Sequence, residues 1–217
     1  HLLYYFRQEN KLSKNLFVYT DEVVSFEPTL GTNVLRFPDV DNYVFIDDFC
    51  GSGSQVTNDS NVLRCVTALR VLNPTVKISY TMLFSTIVGV SNVKKSGLFD
   101  KVESVIILDE TFKCFSTNSR IYSSIGTKYN FIDQLYAKDF CSKYGKDLFR
   151  TIGIQEGHSG THLDQYSDRA SLGWGDCQLL IGLYHNTPDN TLPIIWYDED
   201  YKTWIPIFKR YNKKYNL

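Results

Sequence analysis

The segment Tyr43–Gln55, YVFIDDFCGSGSQ, constrains the fold more than any other stretch of the chain. Its short unbroken apolar run, Val44 to Ile46, is the pattern of a strand buried on both faces, as parallel sheets require. Two adjacent acids follow, Asp47 and Asp48, and then the small residues Gly51, Ser52, Gly53 and Ser54. Helical spacing begins at Gln55. Val62, Val66, Leu69 and Leu72 fall on one stripe, with Pro74 just past the end. Strand, Gly-rich turn and helix in that order make half of a parallel crossover unit. VKISYTMLFST (76–86) reads as a second strand and ESVIILDETF (103–112) as a third. SNVKKSGLFDKV (91–102) reads as a connection with about one helical turn. The alternation predicts an α/β fold built on a parallel sheet.

The flanks are less regular. HLLYYFRQENKL (1–12) suggests a helix and NLFVYTDEVVSF (15–26) a strand, followed by turns around Pro28, Gly31 and Pro38. FIDQLYAKDFCSKY (131–144) suggests a helix with Phe131, Leu135 and Phe140 roughly on one face and Gly145 as its stop. CQLLIGLYHNTPDNTLPIIW (177–196) suggests two apolar strands around a turn. The expected organisation is one domain over 1–217, with a core at about 42–150 and an aromatic-rich C-terminal cap at about 151–217. The chain starts at His1 rather than Met, so its N-terminal end is expected to be incomplete.

Composition narrows the function classes. With 43% hydrophobic residues over 217 positions, a core can form without disulfides. The five cysteines are scattered and form no CxxC pair, which argues against a zinc ribbon and for a reducing, cytoplasmic setting. No run approaches the roughly 18–20 apolar residues of a membrane span, and no secretory signal pattern is present. The formal net charge of −1 supplies no global basic field, so direct nucleic-acid contact is not expected. The basic tail KRYNKKYNL reads as a solvated end.

A strand that ends in carboxylates, followed by a Gly-rich turn into a helix, sits at the carboxyl edge of the sheet, where open α/β folds bind ligands. Glycines admit close backbone approach, and loop N–H groups favour an anion. Carboxylates beside them suit hydroxyl groups or Mg²⁺ held against phosphates. The plainer reading is a tight strand-to-helix turn with a capping Asp. Two adjacent acids at a buried strand end are costly without a ligand, which weighs against it. A P-loop is excluded because the loop lacks the phosphate-binding lysine. VIILDE (105–110) supplies only the strand-plus-acids partner of such a loop.

Two family resemblances remain. DFCGSG (48–53) resembles the first motif of S-adenosylmethionine-dependent DNA and RNA methyltransferases, D-x-F-x-G-x-G. Their catalytic DPPY or NPPY tetrapeptide has no counterpart; NTPDN (186–190) is nearest and lacks the double proline and the aromatic. The same stretch resembles the fingerprint of the type I phosphoribosyltransferases: apolar residues, two acids, then a small-residue loop. That resemblance implies a type I phosphoribosyltransferase-like α/β core, with Asp47 and Asp48 on the ribose hydroxyls of phosphoribosyl pyrophosphate beside Mg²⁺. Gly51, Ser52, Gly53, Ser54 and Gln55 would hold the 5′-phosphate. CQLLIGLYHNTPDNTLPIIWYDEDYKTWIPIFKR (177–210) resembles the C-terminal signature of a phosphoribosyltransferase-like family of bacterial conflict and anti-phage systems (PRTase-CE-like, some retron-associated). The resemblance covers about Asn42 to Arg210. It implies a protein partner in a defence complex, or a homo-oligomer. One departure matters: residues 1–42 hold no convincing pyrophosphate-binding loop. The alternative it opens is a non-catalytic subunit that senses a nucleotide.

Other constellations carry weaker expectations. His158 and His162, with Glu156 and Asp164, have H-x3-H spacing, but Gly157, Ser159 and Gly160 favour a flexible loop over a helix-borne metal site. Asp109 and Glu110 end a buried strand and are candidate contacts to Mg²⁺ or pyrophosphate, or simple caps. His185, Asn186 and Asn190 surround a turn and are either turn chemistry or ligand contacts. Trp196 and Trp204 are expected to pack.

Overall fold

The computed structural model describes residues 2–58, 60–125, 133–183, 187–198 and 204–208. In chain order the elements are α1 (Leu2–Glu9), β1 (Val24–Glu27), β2 (Thr32–Leu35), β3 (Asn42–Cys50), α2 (Ser54–Asn58), α3 (Ser60–Leu72), β4 (Lys77–Thr86), α4 (Ile87–Ser96), β5 (Lys101–Leu108), α5 (Arg120–Ile125), α6 (Gln134–Gln155), α7 (Gly160–Ala170) and α8 (Pro193–Trp196). The chain falls into two compact units, His1–Leu108 and Asp109–Leu217. Among the described residues no helix is long and apolar enough to cross a membrane.

In the first unit the sheet order is β3-β4-β5, all parallel, so the α/β reading of the central segment stands. Crossovers of one hand between strands taken in sequence order put their helices on the same side. Tyr43, Ile78, Tyr80, Met82 and Val102 therefore pack with Val66 and Leu69 of α3 and Val90 and Val93 of α4. The intervening positions lack that cover: Val44 and Val105 are 57% and 69% exposed. The strands are thus buried on one face, not on both as their apolar runs suggested. The pairing runs to Asp47↔Met82 and resumes at Phe49↔Phe84. Tyr43, Phe45 and then Cys50 contribute to the helix-side core, and Asp47 meets Tyr80 on that side, so the alternation slips by one residue near Asp48.

At the amino end of this sheet Arg70 donates to the carbonyl of Val76 (2.8 Å) and to Asp100 Oδ2 (2.9 Å). The same Asp100 oxygen accepts the N–H of Ile78 at 2.7 Å. One ion pair thereby ties α3, β4 and the entry to β5.

Two further sequence expectations change in this unit. The strand expected over 15–26 is mostly two 3-10 turns, Lys14–Leu16 and Thr20–Glu22, the first capped by the Ser13 hydroxyl. Only Val24–Glu27 is a strand, and it pairs antiparallel with β2. The expected connection before β5 opens on the second part of a ten-residue helix, α4, which starts at Ile87. Thr86 caps it by accepting the Gly89 N–H at 2.9 Å, and Gly97, left-handed at φ +67°, ends it.

The second unit is largely helical. α6 does not stop at Gly145 but runs to Gln155. That glycine serves close packing: a Cβ there would lie 2.0 Å from the carbonyl oxygen of Ser171. Leu148, Phe149, Ala170, Trp196 and Tyr197 form one core cluster, and Cys114, Phe115, Cys141, Leu172 and Leu192 another. The two strands expected over 177–196 are not formed among the described residues. Leu179 and Thr191 make a lone parallel bridge, and Pro193 starts a short helix, as its fixed φ favours. The loop expected around the histidines is confined to Glu156–Ser159, with His158 in it, because His162 lies within α7.

Candidate functional site

The loop after β3 is built from its carbonyl oxygens outward. Thr86 Oγ1 donates to the Gly51 carbonyl, Asn92 Nδ2 to the Ser52 carbonyl (2.9 Å) and Thr57 Oγ1 to the Gly53 carbonyl (3.0 Å). Ser85 Oγ donates to the Cys50 carbonyl at 3.1 Å. In a trans peptide the N–H points opposite to the C=O of the same unit. The N–H groups of Ser52, Gly53 and Ser54 are therefore turned away from the groups that tie down the carbonyls. The Ser52 and Ser54 hydroxyls meet at 2.6 Å.

Two glycines make this arrangement possible. Gly53 sits at φ +78°, where L side chains are strained. A Cβ on Gly89 would lie 2.4 Å from the Gly51 oxygen and 2.6 Å from the Cys50 oxygen. Helix α4 thus presses backbone to backbone on the loop. Gly51, Ser52, Gly53, Ser54 and Gln55 were all marked by the sequence. Thr86, Gly89 and Asn92, which brace them, were missed.

Asp47 and Asp48 lie within the carboxyl half of β3, which runs on to Cys50. Asp47 is half-buried. Its Oδ2 accepts the Tyr80 hydroxyl at 2.7 Å, and its Oδ1 accepts the Asp48 N–H at 2.9 Å. Burial raises the proton affinity of the Asp47 carboxyl, Tyr80 partly opposes that, and the neighbouring charge of Asp48 adds to it. Burial also holds the Tyr80 hydroxyl protonated well above its usual range, with Asp47 acting in the same direction. The Cys50 thiol is likewise pushed up by burial and is poorly suited to nucleophilic work. Asp47 and Tyr80 line a cavity of about 280 Å³ together with Val23, Phe45, Gln55 and Val62.

The auxiliary candidates fall elsewhere. Asp109 follows β5 and caps the 3-10 turn Glu110–Phe112. Its Oδ1 accepts the Thr111 hydroxyl at 2.5 Å and the Thr111 N–H at 2.9 Å, and these bonds, the hydroxyl's first, lower its proton affinity. Glu110 faces Lys113 at 3.6 Å. Asn190 is buried and donates to the Trp174 carbonyl at 2.9 Å. A Cβ on Gly173 would lie 2.3 Å from the Asn190 carbonyl oxygen. His185 and Asn186 lie outside the described residues. Trp196 and Trp204 pack and donate to the carbonyls of Thr191 (3.0 Å) and Ile194 (2.8 Å). The His158 and His162 rings lie 4.6 Å apart and tilted by 57°, with Glu156 3.5 Å from His158. Among the described residues no group of three or more His, Cys, Asp or Glu side chains could hold a metal ion.

A parallel α/β sheet with acids and a braced Gly-Ser loop at its carboxyl end is consistent with a phosphoribosyltransferase-like α/β core. The family model named PRTase-CE matches residues 1–210, and the chain belongs to the PRTase-CE family. Neither the curated proteins nor the solved structures contain a match to it.

Proposed function

We propose that the first unit binds phosphoribosyl pyrophosphate, or a related ribose-phosphate nucleotide, at the carboxyl end of β3. The observation that carries this reading is the loop. With the carbonyls of Gly51, Ser52 and Gly53 held by Thr86, Asn92 and Thr57, the opposed N–H groups of Ser52 and Gly53 suit a phosphate, and that of Ser54, which donates to Ser52 Oγ at 3.3 Å, can be shared with it. The Ser52 and Ser54 hydroxyls and the Gln55 amide add donors. Asp48 and Asp47 lie three and four residues before the loop and serve the ribose hydroxyls.

Mg²⁺ fits this donor set as an ion carried mainly by the substrate's own phosphates, with Asp48 as the carboxylate beside it. Two donors already occupy Asp47. In the proposed reaction a nucleophile bonds to C1 of the ribose while the bond from C1 to the pyrophosphate oxygen breaks. The bonding pair leaves with pyrophosphate. The chain's part is positioning and charge stabilisation.

Calorimetric titration with phosphoribosyl pyrophosphate and Mg²⁺, followed by a pyrophosphate-release assay, tests the reading. Asp48→Asn and Gly53→Ala should each weaken binding at least about tenfold, or 1.4 kcal/mol. Unchanged binding in the double variant Asp47→Asn/Asp48→Asn would sink the assignment.

A nucleotide-sensing subunit without turnover is the second reading, and one observation favours it. Among the described residues no parallel strand precedes β3 that would carry a pyrophosphate-binding loop; residues 2–41 form a helix, 3-10 turns and an antiparallel hairpin. Binding without release supports that reading. Binding of S-adenosylmethionine instead would favour the methyltransferase. A role in an anti-phage complex is tested by challenging cells that carry the Asp48→Asn variant with phage.

A further inference from the structure

Helix α6 has a buried face and an exposed seam. Cys141, Gly145, Leu148, Phe149 and Gly153 are buried. Tyr136, Phe140, Lys143, Asp147, Arg150 and Ile154 recur elsewhere on the helix in alternating steps of four and three. That is the heptad spacing of a helix packed lengthwise on another helix. Yet this seam faces solvent: Tyr136 is 72% exposed, Ile154 59% and Phe140 39%, and Lys143 and Asp147 are exposed too. An apolar patch adjoins its middle. The Phe140 and Tyr144 rings lie 4.6 Å apart, and Tyr144 lies 5.6 Å from Trp204. Ile205, Ile207 and Phe208 follow, all exposed. With Tyr136 and Phe140 they present on the order of 600 Å² of apolar surface. The largest patch of a typical monomer is about 300–600 Å², and a standard interface takes about 800 Å² from each partner. The rest of the seam supplies the difference.

The charges select the partner. Asp164 of α7 holds Arg150, but neither Lys143 nor Asp147 forms an ion pair among the described residues. The seam is complementary to itself when reversed. In an antiparallel pairing of two α6 helices about a two-fold axis near Gly145, Lys143 of each copy meets Asp147 of the other. Tyr136 meets Ile154, and Phe140 packs on the stem of Arg150. A parallel pairing would set each charge against its own like.

We propose that the α6 seam binds a second copy of this chain, forming an antiparallel, two-fold homodimer in which residues 204–208 of both copies lie beside the axis. The inference concerns the second unit alone and does not rest on the phosphate reading.

Sedimentation equilibrium of the full chain tests it. The wild type should be dimeric at about 100 μM. Lys143→Asp and Asp147→Lys each bring like charges together at both symmetric contacts, and each should raise the dissociation constant at least about tenfold. An equimolar mixture of the two variants sets every reversed charge against its opposite and should restore the dimer. A charge pair within one helix would give no such restoration. Circular dichroism verifies that the variants are folded. Tyr136→Ser, at an exposed position, should weaken the dimer by a similar factor and stands in for a charge variant that does not fold. A monomeric wild type, a dimer indifferent to the folded variants, or a mixture no tighter than either variant alone overturns the proposal.

Discussion

At the amino end of the sheet, Asp100 meets Arg70 at 2.9 Å and accepts the Ile78 N–H at 2.7 Å. At the carboxyl end, Asp47 accepts a tyrosine hydroxyl and a backbone N–H. No lysine or arginine forms an ion pair with Asp47 among the described residues. The surroundings act on the two acids in opposite directions. The Ile78 N–H, then Arg70, hold Asp100 below the usual carboxylate range, whereas burial holds Asp47 above it. Asp100 is an acid the fold uses to fasten strands and helix together. Asp47 is an acid the fold tolerates at a cost, and a cost retained at the carboxyl edge beside a cavity points to ligand binding.

The largest expected effect breaks the carboxyl end mechanically. Gly89→Ala places a methyl group against two backbone oxygens of the loop. Either α4 or the loop must move, at a cost of about 3 kcal/mol. Thermal denaturation should show that loss, with a parallel loss of phosphate-ligand affinity. A fully stable variant would mean that α4 does not brace the loop.

The next effect tests the amino end. Asp100→Ala leaves the N–H of Ile78, a fully buried residue, without its acceptor. It should cost about 2 kcal/mol, nearly all of it from that bond, because solvent weakens the Arg70 pair. An acid with a lowered folded pKa contributes stability above its unfolded value and loses it as the pH falls through its folded one. The gap between wild type and variant should therefore be flat from about pH 8 to about pH 5 and close below about pH 4.

Asp47→Asn should have the opposite sign. An acid whose folded pKa is raised binds its proton more tightly in the native state, so native stability falls as the pH rises beyond the unfolded value. The amide can accept from Asp48 N–H and donate to Tyr80, keeping both contacts without the charge. Relative to wild type the variant should gain on the order of 1 kcal/mol at about pH 8, and the gain should vanish near pH 4. Chemical denaturation across this range checks it. A loss of stability at every pH would make Asp47 a second Asp100, and the contrast between the two ends would fail.

Much of the Gly-Ser loop was legible because its chemistry is local. The Val44–Ile46 run, the acids and the alternating Gly and Ser lie in one stretch, and the structure places them at the end of one strand. Its supports were not legible. Tyr80 reaches Asp47 only through the Phe45↔Tyr80 register, across 33 positions of chain. Helix α4 was hidden because its cap, Thr86, is also the last residue of β4, and because Gly89, Ser91 and Asn92 dilute its apolar stripe. In the second unit the apolar run at 179–183 was misread for want of its partners. Thr191 there bonds the Ile181 carbonyl at 2.7 Å and Leu179 only bridges. Only Leu179 of that run is buried, and Leu180 is exposed, so the apolar run marks neither a strand nor a core segment.

The smallest expected effect isolates the contact that distinguishes the site. Tyr80→Phe keeps a ring that stacks on Phe99 at 5.1 Å and removes only the hydroxyl, so its cost should stay below about 1 kcal/mol. The pH dependence carries the information. The Tyr80 hydroxyl lowers the proton affinity of Asp47 against the larger effect of burial. Without it, the acid binds its proton more tightly still, and native stability should fall more steeply with rising pH than in wild type. In the Asp47→Asn background the same substitution should show no such slope. A double-mutant cycle read by chemical denaturation should therefore give a coupling between Tyr80 and Asp47 that is present at about pH 8 and lost near pH 4. A coupling of constant size would place the interaction in shape and packing, with no bearing on the charge of Asp47.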